Sequence, residues 1–216
     1  MSVETPPRFG LLIVGDEILS GKRSDKHFAH VIGLLRDRGM RLSWTQYLPD
    51  DRATLVEALR RTFSSDAIVF SCGGIGATPD DHTRQAAAEA LGVPLQLHPE
   101  AETLIAQRCA ENGQPDMTTA DNRQRLKMGE FPVGARIIPN PYNRIPGFSI
   151  GQHHFVPGFP VMAWPMIAAI LDSTYAHLAN ATPQAERAVL VYETAESLIS
   201  PLMEVVEARF TRVDAS

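Results

Sequence analysis

Two rhythms of hydrophobic and polar positions divide the first half of the chain. Residues Phe9–Val14 form a continuous apolar run ending at Gly15, the pattern of a strand buried on both faces of a parallel sheet. Over residues 25–38 the period changes: Phe28, Val31, Ile32 and Leu35 share one helical face, and Gly39 supplies the stop. Residues 41–48 read as a second strand. Asp50 then stands at an N-cap position before a helix whose buried stripe is Leu55, Leu59 and Phe63. A third strand over 67–71 runs into Cys72-Gly73-Gly74-Ile75-Gly76, and an alanine-rich helix over 80–91 is closed by Gly92.

Strand and helix thus alternate three times with short connections. That calls for βαβ units, right-handed crossovers and helices on both faces of a mostly parallel sheet, an α/β fold. Further on, the pattern predicts helices over 100–111 and 119–127, a strand at 136–138, a Pro/Gly/Asn-rich loop over 139–147, a strand at 154–156 and a helix ending near 179. The polar stretch 180–186 reads as a linker between a domain at 8–180 and a short extension at 181–216. One strand (187–192) and one helix (195–210) are too little to bury a core alone, so the extension is expected to dock on the main domain or on another subunit.

The composition narrows the class. With 216 residues, 44% hydrophobic, 21% charged and a net charge of -5, the chain can build a sizeable core and has no global field to draw it to nucleic acid or an anionic membrane. The apolar run 161–171 is shorter than the ~20 residues that cross a bilayer and is interrupted by Pro165. Glu4, Pro6 and Pro7 before the first apolar run do not spell a signal peptide, and Cys72 and Cys109 alone make no disulfide scaffold. The expected location is the cytoplasm.

Candidate chemistry gathers where the strands end. Gly73, Gly74 and Gly76 let the backbone approach a ligand and turn N–H groups inward, and the following helix adds its positive end, so the loop is a candidate anion cradle with Ser71 and Thr78 offering hydroxyls. A tight strand-to-helix turn capped by Asp80 is the structural alternative. Residues 15–22 are no P-loop: five residues separate Gly15 from Gly21, where that motif has four, and Arg23 replaces its Ser/Thr. Asp16, Glu17, Asp50, Asp51 and Asp81 fall on the same rim, and carboxylates beside an anion cradle make sense if magnesium bridges them to a phosphate. Singly, each Asp reads first as a helix cap or first-turn charge, and it is their convergence that points to a site. Cys72 lacks an identifiable base, and the histidines lack zinc-site spacing.

Three segments together, Gly15-Asp16-Glu17-Ile18-Leu19-Ser20-Gly21, Pro49-Asp50-Asp51 and Gly73-Gly74-Ile75-Gly76-Ala77-Thr78-Pro79-Asp80-Asp81-His82-Thr83, resemble the molybdopterin-binding domain family. That family includes molybdopterin adenylyltransferases, the N-terminal domain of competence/damage-inducible protein A and a domain of FAD synthases; the spelling is nearest the competence-protein branch. The resemblance spans residues 9–171. It implies a three-layer α/β/α domain whose glycine loop binds the phosphate of a pterin or nucleotide. It also implies that Asp50 and Asp81 serve magnesium-dependent chemistry, and that the chain is a dimer or trimer. Asn140-Pro141-Tyr142-Asn143 and Pro157-Gly158-Phe159-Pro160 are similar to two later motifs, the second adding Pro157 and Gly158 to the ligand site. Asn143 replaces a glycine, Val161-Met162-Ala163 departs from Ser-Glu-Met, and His27 stands where asparagine is usual.

The resemblance leaves two substrates open, molybdopterin with ATP or a nucleotide diphosphate such as ADP-ribose or FAD. A non-catalytic pterin- or nucleotide-binding module is the alternative to an enzyme, and a structural or interaction domain with a decayed site is a third reading.

Overall fold

Every residue of the first apolar run is buried, and its alternation sends side chains into two separate cores. The structure is a computed structural model that describes residues 7–179, 191–193 and 195–209. In chain order the first elements are β1 (Phe9–Val14), α1 (Asp16–Leu19), α2 (His27–Arg36), β2 (Leu42–Leu48), α3 (Arg52–Phe63), β3 (Ile68–Cys72) and α4 (Thr83–Leu91). Then come β4 (Leu95–Leu97), α5 (Pro99–Glu111), α6 (Ala120–Leu126), β5 (Glu130–Pro132), β6 (Arg136–Ile138), β7 (Gly147–Ile150), β8 (His153–Val156), α7 (Pro160–Ser173) and α8 (Glu196–Arg209).

The main sheet has the order β2-β1-β3-β8-β7-β6. Its first four strands are parallel, and β7 and β6 add on antiparallel. Strands β4 and β5 form a separate antiparallel pair. Leu11 and Ile13 of β1 with Phe70 of β3 meet α2 and α7 through Val31, Leu35, Met166 and Ile167. Leu12 and Val14 with Val69 meet α3 and α4 through Leu55, Leu59, Ala86 and Ala87. This is the three-layer arrangement, with helices on both faces of a mostly parallel sheet. Among the described residues no helix is long and apolar enough to cross a membrane.

Several local expectations are corrected. In α2 the buried set is His27, Val31 and Leu35, while Phe28 and Ile32 are exposed, because the helix rests on the sheet and α7 about one position away from the apolar phase. Asp51, not Asp50, caps α3, its carboxylate accepting Thr54 N–H at 2.8 Å. Asp80 does not cap α4, whose N-cap is His82 with no side-chain bond. Gly92, at φ 68°, closes α4 as expected. The strands β4, β5 and β7 lie in stretches where the sequence pattern predicts a loop or no element. Gly147 opens β7 because a Cβ there would stand 2.3 Å from the Phe155 carbonyl oxygen.

The second compact unit contains α8, where Leu198, Leu202 and Val205 are exposed along one stripe. The linker at 180–186 and most of the strand at 187–192 lie outside the described residues; Val191 and Tyr192, which are described, are not in a strand.

A pH-sensitive polar pair is built into the sheet. His154 Nδ1 meets Ser149 Oγ and its Nε2 meets Tyr175 OH, both at 2.8 Å, while His153 Nε2 meets Thr62 Oγ1 at 2.9 Å. Burial pushes His153 down to about 4 and His154 to about 3. Both stay neutral in the fold and take up protons near pH 6.5 when unfolded. Stability is therefore full above that pH and falls on acidification, by up to ~1.4 kcal/mol per histidine for each pH unit until the folded values are reached. Urea midpoints measured from pH 7 to pH 4.5 should fall steeply, and His154→Phe should flatten the slope.

Candidate functional site

The parallel strands β1, β3 and β8 end side by side, and the chain leaves each through or beside a glycine. Gly15 N–H donates to Leu48 O and Gly73 N–H to Val156 O, both at 3.0 Å, so the exits are tied to neighbouring strands. Gly73 and Gly74 have φ of 110° and 67°, which only glycine adopts without strain. Space makes the same demand: a Cβ would lie 2.3 Å from Val14 O at Gly73, 2.2 Å from Thr83 Oγ1 at Gly74 and 2.5 Å from Asp81 Oδ2 at Gly76. A Cβ on Gly158 would stand 3.3 Å from Gly73 Cα, so the Pro157–Gly158 loop lies directly against the glycine loop.

The glycine loop is held from beneath. Thr83 N–H donates to Gly74 O at 3.0 Å, and its hydroxyl to Gly73 O at 3.1 Å. Arg84, only 2% exposed, donates to Gly76 O at 2.6 Å, to Lys127 O and to Glu130 O at 3.4 Å. Its Nε has no partner, and it makes no ion pair among the described residues. Burial lowers its pKa, with the fields of Glu130 and Asp81 opposing. A cation beneath an anion cradle is electrostatically apt, and neither Arg84 nor Gln124, which reaches Ala77 O at 2.7 Å, stands out in the sequence.

The acidic residues divide by role. Asp50 Oδ2 accepts Asp16 N–H at 2.9 Å and Asp50 N–H donates to Asp16 Oδ1 at 3.3 Å, a reciprocal clasp joining the β1 and β2 exits. Burial raises the Asp50 pKa, and the charges of Asp16, Asp80 and Asp81 raise it further against the one backbone hydrogen bond. Asp80, by contrast, is held below the usual carboxylate range by a hydrogen bond from Thr78. Asp51 is spent on its cap, where the Thr54 hydroxyl and N–H hold its pKa low. Asp81 folds onto the glycine loop, its Oδ2 accepting Thr78 N–H at 2.9 Å and the Thr78 hydroxyl. Glu17 pairs with Arg23 at 3.2 Å.

One candidate position sits differently from the expectation. Ser71 is 1% exposed, its Oγ enclosed in the sheet without a partner, so its hydroxyl is not on the rim surface. Met162 packs against the core and takes Asn143 Nδ2 on its sulfur at 3.3 Å, so the position is not part of the acidic set. The left-handed residue in that later motif is Arg144 (φ 65°), not Asn143. Burial pushes the Cys72 thiol up, which removes it as a nucleophile.

His27, which sequence reasoning marks only as a departure, is 3% exposed and donates from Nε2 to Gly158 O at 3.0 Å. Asp25 starts the same helix by accepting His27 and Phe28 N–H at 2.8 and 3.0 Å, and it also takes the Tyr47 hydroxyl at 3.1 Å. Two clefts, of about 260 and 400 Å³, lie elsewhere, around α5, α6, α7 and residues 139–145.

The donor set decides whether magnesium fits. Among the described residues no three His, Cys, Asp or Glu are grouped as a ready metal cage. Magnesium is commonly held by one or two carboxylates with waters and substrate phosphates. The carboxylates the structure brings together are those of Asp16 and Asp50, clasped at the β1 and β2 exits, a pair of the size such a partial donor set uses.

A family model described as a probable molybdopterin binding domain matches residues 10–177. A CinA-like protein of Geobacter sp. (strain M21) is 33% identical over 203 residues, covering 91% of this chain and 47% of that protein. Another from Citrifermentans bemidjiense is 37% identical over 157 residues, covering 71% and 37%. The chain therefore spans less than half the length of these curated relatives. The crystal structure of CinA, of unknown function, from Thermoplasma acidophilum has a TM-score of 0.65 at 28% identity, covering 80% of this chain and 98% of that one. The molybdopterin biosynthesis enzyme MoaB of Thermus thermophilus, at 20% identity and a TM-score of 0.50 over 79% and 93%, shares the fold. A glycine loop fitted to its surroundings at the ends of parallel strands and a family match over most of the chain agree: this chain belongs to the molybdopterin-binding domain family, with CinA-like relatives.

Proposed function

We propose that the rim binds a phosphate of a pterin or adenine nucleotide and catalyses magnesium-dependent chemistry at its phosphoryl or pyrophosphate linkage. The observation that carries this reading is the Asp16–Asp50 clasp at strand ends beside a glycine loop that admits no Cβ. Burial, with the charges of Asp16, Asp80 and Asp81 added to it, raises the cost of ionising Asp50, and a cation bound there would relieve it.

The chain's own groups divide the work. The backbone of Gly73, Gly74 and Gly76 comes close to phosphate oxygens without side chains in the way, and Arg84 adds a fixed positive charge beneath. Thr78 exchanges its bonds to Asp81 for bonds to the ligand, which frees the Asp81 carboxylate. Asp50 and Asp81 would hold magnesium, with Asp16 orienting Asp50 through the clasp. Bound there, the ion neutralises phosphate charge and polarises a phosphoryl oxygen. With Cys72 enclosed, electrostatic stabilisation rather than a covalent enzyme intermediate is expected.

The test offers purified protein with magnesium molybdopterin plus ATP, then ADP-ribose, then FAD, with products followed by mass spectrometry. One mixture is expected to give product. Binding without product in all of them would leave the module reading, and no thermal shift with any ligand would overturn the phosphate site itself.

A further inference from the structure

The loop that leaves β8 rests on the glycine loop and is held by a side chain from α2. A Cβ on Gly158 would stand 3.3 Å from Gly73 Cα and 3.9 Å from Gly73 N. Pro157 has no N–H to donate, and Phe159 O is taken up by the N–H groups of Met162 and Ala163 as α7 begins. The Gly158 carbonyl remains for a tether, and His27 Nε2 meets it at 3.0 Å. A carbonyl oxygen only accepts, so Nε2 carries the hydrogen and Nδ1 is left with a lone pair.

His27 is itself anchored. Asp25 accepts its N–H at 2.8 Å and, through the other oxygen, both the Phe28 N–H at 3.0 Å and the Tyr47 hydroxyl at 3.1 Å. A line of contacts therefore runs from β2 through Asp25 and His27 to Gly158, and from there to Gly73 at the β3 exit. It is separate from the Asp16–Asp50 clasp, which joins the β1 and β2 exits. Packing alone does not account for the histidine. The residue is 3% exposed and its Nδ1 is enclosed without a partner, an arrangement that costs stability. Reach does account for it. Asparagine, which His27 replaces, carries its amide nitrogen one bond closer to Cβ, whereas glutamine carries it as many bonds out as Nε2.

We infer that His27 is a positioning residue for the rim: by tethering Gly158 O it holds the Pro157–Gly158 loop against Gly73 and keeps the glycine loop in the shape that receives phosphate. The inference rests on the phosphate-site reading and adds to it a residue that acts only through the backbone of Gly158. His27 touches no ligand and moves no proton. What it supplies is pre-organisation, since an untethered loop must be ordered each time a phosphate binds.

Isothermal titration of the full chain with inorganic pyrophosphate and magnesium, well below the melting temperature, reads the effect. His27→Leu is expected to weaken binding by about ten-fold, the scale on which a small misplacement of a positioning group acts. Its melting temperature should stay near that of wild type, because the lost hydrogen bond is offset by removal of the enclosed, unpartnered nitrogen. His27→Gln should keep the affinity within about three-fold, and His27→Asn should lose as much as His27→Leu. Leu35→Ala, in the buried face of the same helix, should melt earlier and bind pyrophosphate as wild type does, which separates the tether from the stability of α2. Wild-type affinity in His27→Leu would overturn the positioning role and leave the phosphate site standing. Should that variant fail to fold, the Gln and Asn variants decide, and equal affinity in those two would overturn it. A loss in Leu35→Ala as large as that in His27→Leu would also overturn it, since the helix and not the tether would then be responsible. Wild-type protein that binds no pyrophosphate would overturn the phosphate site and this role together.

Discussion

Asp50→Asn should lower turnover by roughly a hundred-fold or more, the scale on which removal of one pre-placed electrostatic group acts, while raising the melting temperature of the ligand-free protein. The two effects have one cause. Asn keeps an oxygen that accepts Asp16 N–H, so the clasp between the β1 and β2 exits survives. What disappears is a charge whose ionisation is opposed by burial and by Asp16, Asp80 and Asp81. A carboxyl with a raised folded pKa contributes most to stability when protonated, and that contribution is lost as pH rises through the folded value. At neutral pH the ionised Asp50 is therefore a net cost, which the variant removes. Thermal melts without divalent cation, paired with the product assay, check both halves. Asp51→Asn is the matched control, since that residue serves the α3 cap and keeps its role through an equally good capping residue.

Arg84→Met should cost about 3 kcal/mol or more of stability and weaken pyrophosphate binding as well. Its guanidinium, itself 2% exposed, serves the part-buried carbonyls of Gly76, Lys127 and Glu130, which in the variant lose a charged donor, Lys127 O keeping the Glu130 N–H. Each buried group left unsatisfied costs about 1–3 kcal/mol. The loss of charge acts separately, on the field at the cradle. Arg84→Lys keeps the charge but not the fork, so it should be unstable to a similar degree and yet retain more of the pyrophosphate affinity. Urea unfolding gives the first quantity and titration of the folded protein gives the second. A Met variant as stable as wild type would show that the loop needs no support from below.

How much of this was legible in the sequence depends on how local the cause is. Phe9–Val14, the glycine loop and the Gly92 stop follow from short-range rules, since a continuous apolar run and a left-handed position need no distant partner. The phase of α2 was not legible. Phe28 and Ile32 offer as good a stripe as His27 and Val31, and only contact with the sheet, α7 and Gly158 selects between them. Asp50 and Asp51 are adjacent and chemically equal as caps. Their division of labour is set by Asp16, which the strands bring in from 34 positions away. Arg84 in an alanine-rich helix looks like an ordinary surface charge, because its carbonyl partners at Lys127 and Glu130 come 43 and 46 positions later. The strands β4, β5 and β7, of three or four residues, are too short to show a period.

The structure brings Gly15, Asp16, Asp50, Gly73, Gly74, Gly76, Thr78, Asp81, Pro157 and Gly158 to neighbouring strand ends. Ser71 is the residue that motif reading places on the rim and packing encloses. The alternation of a strand buried on both faces directs its side chain into the layer between β3 and α3 and α4, one position before the chain turns out.

In the proposed function the carboxylates and the glycine loop act as one site when magnesium joins them. Titration of wild-type protein and Asp50→Asn with inorganic pyrophosphate, each with and without magnesium, tests it most directly. The expected result is that magnesium tightens binding to the wild type by about ten-fold or more and changes the affinity of the variant little. Pyrophosphate binding that is the same with and without magnesium in the wild type would contradict it.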